Sequence, residues 1–327
     1  MRLRIVIIAA LGAALAVYLV AFVGIGAVLS AAVALGWSGF AILCLYGLAL
    51  FPILGTAWHV LLPDSHHRSW WVFVAARMVR DAATEVLPFA QLGGIVFGAR
   101  AAILKGVEPA VAFASTVVDV TTELLAQIVF VAIGLAILSL SGPHTPFAAS
   151  LTTASLIGLS VAAAGCGLFL VMQRHSVWIT GKLAARLLRG AGASSAAVAA
   201  TFDDIHRSPA RIALSSALHL AGWIASAIGT WIAFRLIGTH VGLLPVVAIE
   251  SLVCAARSVA VFIPNALGVQ EAAYAVVAPL FGVGAEFGLA ISLLKRARDI
   301  ALGVPILLIW HAAEGQQALA RKSTGYN

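Results

Sequence analysis

The sequence predicts an all-α, polytopic helical membrane protein, and three observations lead to that class. Hydrophobic residues make up 62% of the 327 residues and charged residues only 10%, whereas soluble domains carry about 25% charged residues. Apolar stretches long enough to cross a bilayer recur along the whole chain. The basic residues lie mostly in the loops between these stretches, where they set membrane orientation. The net charge of +7 therefore indicates orientation in a bilayer and not nucleic-acid binding.

Six stretches are predicted to cross the membrane as single helices. They lie at about 5–22, 37–62, 108–140, 146–172, 210–237 and 285–312. The first follows Arg2 and Arg4 as a signal peptide would, but it has no clear cleavage site. We therefore expect it to be a retained first helix.

Two further apolar segments, at about 71–106 and 242–283, are interrupted. Each has a proline near its middle and a glycine soon after it, which breaks a helix. The helix-breaking residues are Pro88, Gly93, Pro264 and Gly268. Non-helical backbone at membrane depth is tolerated only where protein or a watery cavity surrounds it. We predict two re-entrant helical hairpins, and two kinked full spans in each segment are the alternative.

The loop charges predict that both termini are cytoplasmic. With this orientation, the region 173–211 lies inside and contains six Lys and Arg residues. The outside loops "SGPHTP" and "GTH" contain none, which satisfies the positive-inside rule. Paired full spans would give the same loop sides. The segment at about 173–209 alternates apolar and basic residues, which predicts an amphipathic helix on the cytoplasmic surface.

A shift of 176 residues superimposes the two interrupted segments and the long helices that follow them. The shift places Pro88 on Pro264, Gly106 on Gly282, Asp119 on Lys295 and Glu123 on Asp299. We therefore predict two repeats, at about 71–140 and 242–312, within one integral membrane domain at 1–327. Three predicted crossings, at 108–140, 146–172 and 210–237, separate the two interrupted segments, which makes the repeat inverted. Many secondary transporters are built in this way, with their sites near the midplane.

Mid-helix charges mark the candidate site. The stretch "LLKRARDIALGVP", at 293–305, places four charged residues in the last predicted crossing, and each Lys, Arg or Asp costs about 2.5–3.5 kcal/mol at a helix centre. Asp119 and Glu123 lie at i and i+4 in the third crossing. We predict that these carboxylates pair with bases of the last helix around a polar midplane cavity. A wholly structural ion-pair network is the alternative.

The candidate substrate-binding and translocation residues are the charged and polar residues of the two repeats. They are Arg77, Arg80, Asp81, Glu85, Gln91, Asp119, Glu123, Arg257, Asn265, Gln270, Glu271, Lys295, Arg296, Arg298 and Asp299. The sequence has no P-loop, no convincing metal-ligand cluster, and no Ser or Cys nucleophile beside a convincing base. We therefore predict no cofactor, no metal and no catalytic residue.

Four motifs carry a resemblance to a known family: "VRDAATEVLPFAQLGG", "AFASTVVDVTTELLAQ", "PNALGVQEAAY" and "SLLKRARDIALGVP". With them the chain resembles the hopanoid-biosynthesis-associated integral membrane proteins of bacteria. These belong to the superfamily of lysylphosphatidylglycerol synthase transmembrane, or flippase-like, domains. In that superfamily the domain moves modified phospholipids between leaflets when it is fused to a synthase. The 327 residues contain no soluble synthase domain, so only the flippase-like part carries over.

The resemblance implies a lipid substrate, a bacterial inner-membrane location, and hopanoid-biosynthesis enzymes as partners. It also places most of the candidate residues, together with the four helix-breaking residues, at the family's polar and glycine or proline positions. Two other functions are compatible with the residues. One is an intramembrane lipid-modifying enzyme with Asp119 or Glu123 as general base, and the other is a non-catalytic accessory protein of hopanoid biosynthesis.

Overall fold

The computed structural model describes residues 25–62, 68–87, 90–141, 145–175, 195–260 and 263–323. Within these ranges the chain is helical and contains no strand, which confirms the predicted all-α class. Several predictions fall outside the described residues. These are the first crossing at 5–22, Pro88, and most of the amphipathic segment at 173–209.

The described ranges contain ten α-helices and two short 3-10 helices, at Pro264–Ala266 and Ala278–Phe281. In chain order the α-helices are α1 (Ile25–His59), α2 (Trp70–Val86), α3 (Ala90–Leu104), α4 (Pro109–Ser141), α5 (Pro146–His175), α6 (Ser195–His206), α7 (Pro209–Leu236), α8 (Leu243–Val259), α9 (Val269–Val277) and α10 (Ala285–Ser323).

Three of the described helices are long and apolar enough to cross a membrane. They span Val33–His59, Pro109–Ser141 and Pro209–Leu236, close to the predicted crossings at 37–62, 108–140 and 210–237. In α1 the backbone breaks at Gly36, where φ is +66° and a side chain would be strained. The predicted crossings at 146–172 and 285–312 coincide with α5 and α10, and that these helices cross stays a prediction.

The chain divides into two compact units. The first-hairpin unit consists of Leu54–Val120, Met172–Ser215 and Asp299–Asn327, and the second-hairpin unit of Met1–Ile53, Thr121–Val171 and Ser216–Arg298. Each unit has its own apolar core, and each contains one of the two interrupted segments.

In the first-hairpin unit, α2 and α3 pack closely along each other. Glycines make this possible, because a Cβ at Gly94 would lie 2.0 Å from Thr84 Oγ1 and one at Gly98 would lie 2.9 Å from Arg80 Cβ. Helix α2 ends at Val86 and α3 begins at Ala90, which places the predicted helix breaker Gly93 in the first turn of α3. The buried side chains around this hairpin include Trp58, Phe73, Ala102 and Val111.

In the second-hairpin unit, the break between α8 and α9 is longer and irregular. Asn265 and Ala266 have φ of 49° and 46°, and Gly268 has φ of 79°. The first two are left-handed without being glycine, which L-residues rarely adopt without support from their surroundings. Pro264 begins the 3-10 helix within this break. Apolar side chains of α7, α8, α9 and α10 form the core, including Phe234, Ile249, Tyr274 and Ile291.

Several local features recur 176 residues apart. Helix α4 begins at Pro109 and α10 at Ala285, and the preceding turns use left-handed glycines, Gly106 (φ 86°) and Gly282 (φ 74°). Helices α2 and α8 are both 17 residues long, and their starts are offset by 173 residues. The glycine turns and the starts of α4 and α10 agree with the shift deduced from the sequence, while the inverted relation between the repeats stays a prediction.

Candidate functional site

Two arginines converge on one carboxylate in the first-hairpin unit. Arg77 Nη1 lies 3.3 Å from Asp119 Oδ2, and Arg80 Nη1 donates to the same oxygen. Asp119 is completely buried, and both arginine side chains are nearly so. Arg77 also donates through Nε to Asp81 at 2.9 Å. We call Arg77, Arg80, Asp81 and Asp119 the Asp119 cluster; two positive and two negative groups balance within it.

The sequence of α2 explains this convergence. Arg77, Arg80 and Asp81 are spaced i, i+3 and i+4, which puts them on one face of the helix. That face meets α4 at Asp119. A carboxylate with two guanidinium partners in a buried site has strong, charge-assisted hydrogen bonds.

A second buried network surrounds Lys295 in the second-hairpin unit. Lys295 Nζ lies 2.6 Å from Glu250 Oε2, 2.9 Å from the Tyr274 hydroxyl and 3.4 Å from Thr230 Oγ1. Tyr274 also donates to the other oxygen of Glu250. We call Thr230, Glu250, Tyr274 and Lys295 the Lys295 cluster. It connects α7, α8, α9 and α10.

A third network supports the break of the second hairpin. Arg296 pairs with Glu271, including a contact of 3.2 Å from Nη2 to Oε2, and also donates to the carbonyl oxygens of Asn265 at 3.2 Å and Ala266 at 3.4 Å. Glu271 in turn accepts from the Gly268 backbone N–H at 2.8 Å. We call Glu271, Arg296 and the backbone groups they bind the Glu271 cluster.

Two polar side chains extend this third network. Ser292 donates to Glu271 at 3.2 Å, and Gln270 donates to the Ser292 hydroxyl at 3.0 Å. The predicted residues Asn265, Gln270, Glu271 and Arg296 are therefore brought together.

Six predicted residues are not members of the three clusters as defined above or of the extension of the third. Arg257 Nη2 lies 3.4 Å from Asn265 Oδ1. Four predicted residues are partly buried: Glu85, Glu123, Arg298 and Asp299. Gln91 lies in α3, and its side chain is outside the described part of the structure.

The structure shows acid–base pairs that were not among the predicted ones. We expected the carboxylates of 108–140 to neutralise the bases of 285–312. The structure shows Asp119 with Arg77 and Arg80, and Lys295 with Glu250, while the expected pairing between 108–140 and 285–312 stays a prediction. The observed pairs form because the hairpin helices α2 and α8 present side chains of opposite charge to Asp119 of α4 and Lys295 of α10. The equivalent positions Asp119 and Lys295 are thus each paired with the first helix of the preceding hairpin, with the signs exchanged.

Sequence reasoning missed Tyr274 and Thr230 and left Glu250 out of the candidate set. Of these three residues, only Glu250 could have been found from the sequence, because a single carboxylate in the apolar helix α8 needs a partner. Tyr274 follows Glu271 by three residues, on the same face of α9.

Two cavities lie within the second-hairpin unit. One, of about 470 Å³, is formed by the loop at 238–242 and the turn at 281–284. The other, of about 710 Å³, is formed by α4, α5, α8 and α9. Neither cavity is lined by Asp, Glu, Lys or Arg among the described residues, so the charged midplane cavity stays a prediction. No group of His, Cys, Asp and Glu in the described ranges could hold a metal ion.

An all-helical chain with long apolar helices, interrupted hairpins and buried ion pairs is a polytopic helical membrane protein. Residues 3–306 match the family model described as the lysylphosphatidylglycerol synthase TM region. The chain belongs to this family, which agrees with the superfamily resemblance of its four motifs. No curated protein and no solved structure matches the chain.

Proposed function

We propose that this protein moves a polar lipid, either a phospholipid or a hopanoid-related lipid, between the leaflets of the bacterial inner membrane. The observation that carries the proposal is the convergence of Arg77 and Arg80 on one oxygen of the buried Asp119. Two guanidinium groups in a low-dielectric site suit a phosphate, whose several oxygens can accept from both planar forks.

Asp119 is the resident anion of this site. A lipid phosphate that enters replaces the carboxylate as partner of the two arginines, and Asp119 restores the pairing after release. This exchange avoids an unpaired buried charge at either stage, which would cost several kcal/mol. Membership of a family named for lysylphosphatidylglycerol synthase supports a lipid as substrate.

Leaflet exchange in reconstituted vesicles tests the proposal. A fluorescent phosphatidylglycerol in the inner leaflet is followed by quenching of the probe from outside. We expect Arg80→Gln to lower the exchange rate at least tenfold, since one of the two guanidinium groups is lost. The exchange rate of Arg80→Lys should lie between those of the unchanged protein and of Arg80→Gln, because an ammonium keeps the charge but lacks the planar fork.

The matched control is Arg207→Gln, which removes an arginine from an exposed pair with Asp204 in and beside α6. Its exchange rate should equal that of the unchanged protein. Equal exchange by the Arg80→Gln protein, with normal insertion and a monodisperse profile, would contradict the proposal.

Two outcomes point to the other functions. A new lipid mass after incubation with the purified protein favours a lipid-modifying enzyme. If the Asp119→Asn and Lys295→Met proteins both insert normally and restore a deletion strain, a non-catalytic accessory role in hopanoid biosynthesis is favoured.

A further inference from the structure

The larger cavity is an apolar groove on one side of the second hairpin. Helices α4, α5, α8 and α9 form its walls, and it has a volume of about 710 Å³, within the range of small-molecule sites. Among its lining residues are Leu124, Ile128, Leu159, Ala256, Val259 and Val276.

Gln127 and Ser258, two of the three polar side chains in the wall, already have hydrogen-bond partners. Gln127 Nε2 donates to Ser258 Oγ, and Ser258 Oγ donates to the Cys254 carbonyl oxygen at 2.9 Å. The groove therefore presents mainly hydrocarbon to whatever fills it.

The depth of the groove indicates its occupant. Its α4 wall runs from Leu124 to Val131, the middle of a 33-residue helix that is long and apolar enough to cross the membrane. At that depth a bilayer consists of acyl chains. The rim carries apolar side chains with high exposure, 79% for Val259 and 44% for Val276, so the groove is open along an apolar edge.

We propose that this groove binds one acyl chain of a membrane phospholipid. The proposal rests on the proposed function in taking a lipid as the ligand. It adds a site for the apolar chain, separate from the residues that bind the head group.

A glycine in the groove allows a matched test. Gly158 lines the groove, and a Cβ placed there would meet no atom within 4 Å. The Gly158→Phe variant therefore fills the groove without a clash at Cβ. Gly165 lies two turns further along α5, is also exposed and also has open space at Cβ, but it does not line the groove. Gly165→Phe is the control.

The probe is phosphatidylglycerol with a diazirine midway along one acyl chain, incorporated in vesicles of phosphatidylethanolamine and phosphatidylglycerol. After illumination, mass spectrometry locates the adducts. We expect adducts on peptides of α8 and α9, a decrease of at least fivefold in Gly158→Phe, and less than a twofold change in Gly165→Phe. Ala256→Leu fills less of the groove and should also decrease labelling. It serves as the test variant if Gly158→Phe does not fold.

Equal labelling of the groove peptides in both filling variants would overturn the proposal. So would a benzophenone side chain at position 276 that yields a covalent dimer or an internal cross-link in place of a lipid adduct. Leaflet exchange is measured on the same preparations. If Gly158→Phe loses the lipid adducts but keeps its exchange rate, the groove binds an acyl chain and lies outside the transport route. If only Arg80→Gln lowers the exchange rate, the loss is due to the head-group site and not to the groove.

Discussion

At the scale of single residues, Asp119 and Lys295 each have partners of opposite charge within hydrogen-bond distance. Both oxygens of Glu250 are used, one by Tyr274 and the other by Lys295 at 2.6 Å. Such pairs gain little over apolar residues of the same size, but breaking one leaves an uncompensated charge in a low-dielectric site. Removal of one member of a pair is therefore expected to destabilise the protein more than removal of both.

A double-mutant experiment on the Lys295 cluster tests this expectation. We expect Glu250→Gln and Lys295→Met each to lower the free energy of unfolding in mixed micelles by about 3 kcal/mol. The double variant should recover most of this loss, because it leaves neither charge unpaired.

The control is the pair of Arg207 and Asp204, which has a similar N–O distance of 2.7 Å but side chains exposed by 76% and 41%. Asp204→Asn should cost less than about 1 kcal/mol, since water screens an exposed pair. If the effects of Glu250→Gln and Lys295→Met simply add, the two residues are not coupled as the structure indicates.

At the scale of elements, helix length favours hairpins that turn inside the membrane. Helices α2 and α8 have 17 residues, α3 has 15 and α9 has 9. At 1.5 Å per residue the longest of these reach about 25 Å, less than the 30 Å of a typical hydrocarbon core. The Glu271 cluster supplies what such a turn requires, because Arg296 donates to backbone carbonyls at the break.

Cysteine labelling at the tip of the first hairpin distinguishes a re-entrant turn from two kinked full spans. In a protein with Cys44, Cys166 and Cys254 replaced by alanine, Leu87→Cys places one thiol at the C-terminal end of α2. A re-entrant tip stays within the membrane, so a membrane-impermeant maleimide should not reach it from the face opposite Ser69.

Ser69→Cys, at the start of the same hairpin, serves as the labelling control and should react from its own face only. Reaction of Leu87→Cys from the opposite face would show that the first interrupted segment crosses the membrane twice.

At the scale of the whole molecule, local sequence patterns predict the helices, whereas the contacts between helices are visible only in the structure. Hydropathy is a local property, and it placed the α4 crossing at 108–140 and the α7 crossing at 210–237, within one residue of the observed ends. The choice of ion-pair partner depends on which helices pack together, so the pairing of Asp119 with Arg77 and Arg80 was not among the predicted pairs. Tyr274 has no charge to attract notice in a sequence, and its role is visible only from its contacts.

The loop charges predict on which side of the membrane each loop lies. The region 173–211 contains six Lys and Arg residues, and the loops "SGPHTP" and "GTH" contain none. Since translocation of short basic loops is disfavoured, we expect Thr239→Cys, in the second of these loops, to react with an impermeant maleimide from outside intact cells. Gln316→Cys, near the end of α10, should react only after the membrane is opened. The control is the same cysteine-free protein without an added thiol. Labelling of position 316 from outside would place the C-terminus on the outer face. The basic loops of this protein would then lie outside as well, against the positive-inside rule.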